Sequence, residues 1–364
     1  MAAVVVLALI AAGIGWSWVQ SGGYYTYDPG DALPVTASPT CVTSGGNPHL
    51  RGGGLCARVL LPSRRAHTDR GKVLMVDVLV GQTTPWQYAL ARLGLLDTFY
   101  PAAVLHRADA VLGGAPATQF TCQGVQEMDQ ATTDAPVAAL RRLGYRVSST
   151  YHGSRVFLVQ AGSPAARAGV HCGDSIVAVD GHPTLTTPAL VRAIEAHSPG
   201  SVVTLTVERD GPGGRLVERR LAVTLGERPG DPSAGFLGIA TEALPTYHLP
   251  FHIGIDVGDI GGPSDGLALT LGIIDALSGG QLTGGHVVAV TGTIGPHGGV
   301  GPVGGVRQKT VAVERAGATV FLVPSSEVGT ARSEADRRLR VEGVDSLAQA
   351  LADLKALGGK IPAA

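Results

Sequence analysis

Lysine is scarce in this 364-residue chain. Of 28 cationic side chains only Lys72, Lys309, Lys355 and Lys360 are lysines, the others being arginines. Charge as a whole is thin, at 16% of residues against about a quarter in ordinary globular chains. No basic stripe occurs and the net charge is −1, which argues against nucleic acid as a partner. The C-x-x-C spacing of a metal knuckle and the H-E-x-x-H of a zinc peptidase are both missing, so no metal is expected. A G-x-x-x-x-G-K-[ST] phosphate loop is missing too, so neither a nucleotide nor another cofactor is expected. No internal repeat is found. What the chain does have is apolar residues, 45% of the total, together with 52 glycines. Disorder needs the opposite balance, low hydrophobicity with high net charge, so this chain can bury a core.

No charged side chain precedes Asp28, and Ala2–Val19 is an apolar run interrupted only by Gly13, Gly15 and Ser17. At about 1.5 Å per residue such a run just spans a hydrocarbon core of roughly 30 Å. Trp16, Trp18, Tyr24, Tyr25 and Tyr27 cluster at its far end, where an aromatic interface belt would sit. A cleaved signal peptide would need a basic start, which is absent. Residues 1–22 are therefore read as a single transmembrane anchor. Four cysteines follow, Cys41, Cys56, Cys122 and Cys172, and they allow three pairings. Cys41 and Cys56 bracket a Gly-rich stretch, and a disulfide between them fits an extracytoplasmic location. Free buried cysteines are the alternative.

The rest of the chain reads as α+β and multidomain. An N-terminal α/β region covers 23–145, with a β-branched strand at Lys72–Val80, a helix near Trp86–Leu96 and a second at Gln126–Leu143 that ends on Gly144. Residues 146–227 alternate short strands with turns around one helix, Pro188–Ala196. The Pro/Gly-rich stretch Glu227–Gly235 reads as a linker. A second α/β segment then covers 234–358, with strands at His286–Val290 and Val320–Val323 and helices after Ser264, Val306 and Asp345.

Within 146–227 the order Gly162-Ser-Pro-Ala165, Ala168-Gly-Val170, Gly173-Asp174 and Val179-Asp-Gly181 resembles a PDZ domain of the bacterial, protease-associated kind. Physically, Gly169 and Gly173 permit tight turns, and Asp174 can tie loop amides before a buried strand. The resemblance implies binding of an extended peptide along a sheet edge. Tyr151-His152-Gly153, ahead of the first expected strand, is assigned as the loop that would hold the peptide.

Further on, Gly261-Gly262-Pro263-Ser264-Asp265-Gly266 precedes a long apolar stretch with Leu267, Leu271, Ile274 and Leu277 on one helical face. Ser264 thus sits at a helix N-terminus, where backbone amides and the helix dipole favour developing negative charge. An ordinary N-cap serine has the same setting, so the base decides between them. Gly262-x-Ser264-x-Gly266 also fits the nucleophile elbow of an α/β-hydrolase, but only His286 and His297 follow it, and neither lies near the C-terminus. Lysine serves as a base when burial lowers its pKa, whereas arginine stays protonated. In a chain that otherwise writes arginine, Lys309 stands between Val306 and Val311-Ala312-Val313.

These blocks, together with Thr291-Gly-Thr-Ile294, Gly299-Val-Gly-Pro-Val-Gly-Gly305 and Lys309-x5-Arg315-Ala-Gly317, resemble the proteolytic domain of Lon-type peptidases over about residues 236–357. The resemblance implies a Ser264–Lys309 dyad, with the Thr291 hydroxyl supporting the lysine and Gly262, Pro263 and Asp265 forming the nucleophile loop. Asp265 departs from the family, which usually has alanine there. Gly299-Val-Gly-Pro-Val-Gly304 matches G-x-G-x-x-G but belongs to this block, which argues against a dinucleotide site. With anchor and PDZ-like segment, the layout looks like the membrane-anchored PDZ–Lon-like proteins of Gram-positive bacteria. It implies an ATP-independent serine endopeptidase of the cell membrane, single-pass and largely extracytoplasmic, with protein or peptide substrates. Lon-type domains often form rings, so a homo-oligomer is left open. The alternative is a non-catalytic membrane scaffold recruiting partners through the PDZ-like domain. Such a module has no need of serine, lysine and threonine together.

Overall fold

Residues 73–76 of the run Lys72–Val80 are buried without alternation, the pattern of a strand covered on both faces. The structure, a computed structural model, describes residues 20–36, 59–61, 71–113, 116–211, 215–258 and 260–362. The expected anchor, save residues 20–22, and both Cys41 and Cys56 lie outside the described residues. Among the described residues no helix is long and apolar enough to cross a membrane.

The chain divides into two units, the first made of 1–114, 128–146 and 251–364, the second of 115–127 and 147–250. In chain order, the first unit begins with β1 (Tyr24–Pro34), β2 (Lys72–Gln82), helix α1 (Pro85–Arg92) and β3 (Val104–Arg107). Helix α2 (Ala117–Arg142) gives its first turns to the second unit and the remainder to the first. The second unit continues with β4 (Ser148–Val159), β5 (Ser175–Val179), α3 (Thr187–Glu195), β6 (Val202–Asp210), β7 (Leu216–Thr224) and β8 (Ile239–His248). The first resumes with α4 (Gly266–Leu277), β9 (Val287–Val290), α5 (Val306–Arg315), β10 (Val320–Pro324), β11 (Arg340–Val344) and α6 (Leu347–Ala356).

One six-stranded sheet in the order β11-β10-β9-β2-β1-β3 crosses the expected boundary between 23–145 and 234–358. Strand β2 is its hinge, parallel to β9, with Val73 opposite Val288, and antiparallel to β1. The physical reason is burial. Val287–Val290 is apolar throughout and needs a hydrogen-bonded neighbour on each edge; β10 covers one and β2, some two hundred residues earlier, covers the other. Tyr24, Tyr25 and Tyr27, read above as an interface belt, instead lie in β1, with Tyr24 against Tyr88 and Tyr27 against His106. Val306, Ala312 and Val313 of α5 join Leu74, Val76, Ala289 and Phe321 in one core. Helix α4 has eleven of its twelve residues buried, so it shows no polar face.

The second unit is built on a six-stranded sheet, β8-β4-β5-β6-β7 with the short strand His182–Pro183 paired to β5, and its core contains Val156, Ile176, Leu190, Ile194, Val203, Leu205 and Val207. It also departs from the expected boundary. Gly226–Arg228 and Asp231–Phe236 pair as short antiparallel strands, where a linker was expected, and β8 pairs with β4 as far as His248. Asp174 acts as anticipated: fully buried, it accepts the His171 N–H at 2.9 Å and is clasped by Arg209. Of the three cysteine pairings, the structure contains Cys122–Cys172, which ties the start of α2 to the loop before β5.

Candidate active site

Proline at 263 suits the first position of a helix, since it has no N–H to satisfy and its φ is already helical. Pro263–Asp265 form a single 3-10 turn that runs directly into α4, after Gly262 at φ 91°. The first amides of such a turn have no intrahelical acceptor. Ser264 therefore stands, partly exposed, where unspent donors gather. Gly266 is required by contact, because a Cβ there would fall 2.7 Å from the Ile294 side chain.

Thr291 directly follows β9 at the carboxyl end of the parallel strands, and its N–H continues the ladder to the Leu322 carbonyl at 3.0 Å. The Ser264 carbonyl accepts the Gly292 N–H at 2.8 Å and the Thr291 hydroxyl at 3.2 Å, and Leu267 N–H donates back to the Gly292 carbonyl at 3.0 Å. The strand end and the nucleophile turn are thus clamped in both directions.

Lys309 enters from α5. It is 1% exposed, the largest fully buried side chain described, and its Nζ donates to Thr291 Oγ1 at 2.9 Å. One threonine hydroxyl consequently takes a hydrogen bond from the lysine and gives one to the backbone of the serine. Burial lowers the Lys309 pKa to about 8, while the charges of Asp265, Asp77 and Glu327 oppose the shift. Asp265 is wholly buried. Asp77 comes from β2, where its carboxylate accepts the Asp31 N–H at 2.5 Å across a bulge in β1. Burial pushes the Asp77 carboxyl up, and the Asp31 N–H and Lys309 charge pull it back. A buried amine near neutrality, joined through the Thr291 hydroxyl to the backbone of a serine at a helix start, can act as a general base.

The structure thus links Ser264 and Lys309 through the Thr291 hydroxyl and places Gly262, Pro263 and Asp265 at or within the turn that carries Ser264. His286 is excluded as their base: its carbonyl accepts Lys72 N–H at the amino end of β9, and the extended strand puts about 16 Å between it and Thr291. Asp77 and Glu327 were not singled out from the sequence, and no motif marks either.

Tyr151, His152 and Gly153 do not form a peptide-holding loop. They lie inside β4; Tyr151 pairs with Pro245 on β8, His152 bonds Glu208 at 2.8 Å, and a Cβ on Gly153 would fall 2.7 Å from the Ile176 carbonyl. The concave feature of the second unit lies elsewhere, between α3 and β8. Leu190, Val191 and Ile194 line one wall, and Phe236, Leu237 and Ile239 the other. Strand β8 is the edge of the sheet beside it. The turn Gly235-Phe-Leu-Gly238 is fixed by Gly235 N–H to the His197 carbonyl, and by the Leu237 and Gly238 carbonyls, which accept from Ala165 and Gln160. Among the described residues no backbone acceptor takes the N–H groups of Leu237 and Gly238. The available signal is G-F-L-G ahead of an alternating segment, and it straddles the end of the expected linker and the start of the expected second α/β segment.

Comparison with known proteins agrees with both halves. Residues 142–215 match the PDZ domain family, and residues 236–353 match the Lon protease (S16) C-terminal proteolytic domain. The chain carries both domains. It is 33% identical over 93 residues to Lon protease of Koribacter versatilis and 34% identical over 89 residues to Lon protease of Desulforamulus reducens, covering 26% and 24% of this chain. It spans only 11% of the length of either relative. Among solved structures, the PDZ domain of an SdrC-like protein from Listeria monocytogenes is 23% identical, covering 25% of this chain and 90% of its own, with a TM-score of 0.22.

Proposed function

We propose that this protein is an ATP-independent serine endopeptidase with a Ser264–Lys309 dyad, anchored in a membrane by its N-terminal segment. Neutral Lys309 takes the Ser264 proton as the hydroxyl oxygen attacks a peptide carbonyl. The tetrahedral oxyanion is met by first-turn amides. Collapse expels the amine half of the substrate with a proton returned by Lys309. Water, deprotonated by the same amine, then releases the acyl half and restores the serine. Thr291 positions both partners by its two hydrogen bonds. The second unit selects protein substrates by taking an extended segment along β8 in the cleft beside α3. Support comes from the domain matches and, above all, from one observation: a fully buried lysine whose amine rests 2.9 Å from a hydroxyl that also holds the nucleophile's backbone.

The test follows casein and a mixed peptide library by mass spectrometry, without ATP, for the full chain, Ser264→Ala and Lys309→Ala. Cleavage by the full chain and loss in both variants is the expected result. A full chain as silent as the variants, folded and still binding peptides, would favour the scaffold.

A further inference from the structure

Four large apolar side chains of the first unit gather on one short stretch and are left in solvent: Trp86 at 60% exposure, Leu93 at 71%, Leu95 at 42% and Phe99 at 59%. Trp86 lies on α1 and Leu93 caps its end, while Leu95 precedes and Phe99 closes the single helical turn Leu96–Phe99, the chain reversing at Gly94 with φ 70°. The inward side chains are already satisfied, because Leu90, Leu96 and Ala103 form a small core of their own. Trp86 and Leu93 are seven residues apart and share a helical face. The capping box at Thr84 and Gln87 fixes where that helix begins, so the exposed face is built rather than frayed.

The position of this face within the chain gives it meaning. The Thr83 N–H donates to the Tyr24 carbonyl at 3.0 Å, the Ala108 N–H donates to the Gly23 carbonyl at 2.8 Å, and the Tyr24 and Tyr88 rings lie 5.2 Å apart. The chain is therefore fastened to the start of α1 five residues after Val19, the last residue of the apolar run Ala2–Val19. Five residues reach at most about 18 Å.

We infer that the face formed by Trp86, Leu93, Leu95 and Phe99 seats in the interfacial layer of the lipid bilayer entered by residues 2–19. The inference rests on the anchoring reading given above. Tryptophan favours that layer, where an amphipathic ring keeps its N–H among headgroups. Exposed Arg92, in the last turn of α1, suits the phosphate level beside it. A second copy of the chain is a poorer occupant, because four side chains offer far less than the roughly 800 Å² per partner of a stable interface. A weak lipid contact suffices, since the anchor already holds the face at high local concentration.

The test uses the full chain with Trp16→Phe and Trp18→Phe, which leaves Trp86 as its one tryptophan. It is reconstituted in phosphatidylcholine/phosphatidylglycerol vesicles, either plain or carrying phosphatidylcholine brominated high on the acyl chain. Flotation reports the anchor, and Trp86 emission reports the face. Flotation with a loss of about half the emission in brominated vesicles is expected for a side chain roughly 5–10 Å into the headgroup boundary. Flotation with unquenched Trp86 overturns the inference while the anchor stands. Failure to float overturns both. Emission that ignores bromine but moves to the blue with protein concentration would assign the face to a second copy and overturn the inference as well.

Discussion

Thr291 stands between Lys309 and Ser264 as a relay of position, accepting from Nζ of the first and donating to the carbonyl of the second. Replacing Thr291 by valine keeps the shape and removes both bonds. A hydrogen bond to a charged group contributes about 1.5–3 kcal/mol, so a loss of roughly 10–100-fold in kcat/KM is expected. Thr291→Ser should recover most of it. Equal loss in both variants would mean that the methyl group, and not the hydroxyl, matters.

Replacement of Lys309 should separate charge from basicity. Lys309→Arg preserves the cation but supplies no neutral form, so peptidase activity should fall by about 10²–10⁴-fold or more, as far as for Lys309→Ala. A peptide-cleavage assay alongside thermal melting checks this. An arginine variant with substantial activity would remove the lysine from the role of base.

Activity should rise with pH through about 8, because only the neutral amine accepts a proton and burial places its pKa there. At pH 7 about a tenth of the molecules carry the neutral form. Asp265→Asn removes a charge that holds the pKa up, so the rising limb should move to lower pH; Asp77→Asn should move it in the same direction. The sign for stability is separate. The folded lysine has a lower pKa than the unfolded one, so the unfolded chain binds more protons between about pH 8 and 10.5. The cost of burying the charge is therefore full below pH 8 and is relieved as pH rises toward 10.5. A kcat/KM profile that is flat from pH 6 to 9 would contradict the assignment.

Reduction of Cys122–Cys172 opens a loop of sequence separation 50, for which chain entropy gives about 4 kcal/mol. Both cysteines belong to the second unit. Calorimetry with and without reductant should therefore lower the melting of that unit and leave hydrolysis of short peptides unchanged below it.

In the cleft of the second unit, Val191 is 41% exposed and lies on the α3 wall. Val191→Asp should weaken binding of hydrophobic peptides roughly tenfold, or about 1.4 kcal/mol, without loss of fold. Fluorescence anisotropy with a labelled peptide measures it.

Much of the candidate site was legible because it rests on chemistry that few residues can perform. A lysine written where the chain prefers arginine, and a serine after Gly-Gly-Pro, advertise themselves. Asp77 does not, since an aspartate within Lys72–Val80 looks like any polar residue on a strand, and nothing local marks that its charge reaches Lys309. Elements were read closely where periodicity was strong, as in α3, α5 and β10. The domain boundaries differ from those expected for a physical reason: pairing between strands far apart in sequence leaves no local trace, so neither the joining of β2 to β9 nor that of β8 to β4 can be seen in composition. The same pairing implies that a fragment of residues 251–364 would expose the whole edge of β9. It should be insoluble or unfolded, which circular dichroism would reveal.

Inserting the second unit between β2 and β9 sets an order of events during synthesis. A ribosome adding 5–20 residues per second needs roughly 10–40 s to travel from β2 to the strand that completes its pairing. Every strand of the inserted sheet, β4 to β8, emerges within that interval. The second unit can thus finish folding while the unit carrying Ser264 and Lys309 is still in pieces, and the candidate nucleophile is assembled only after the inserted unit has emerged.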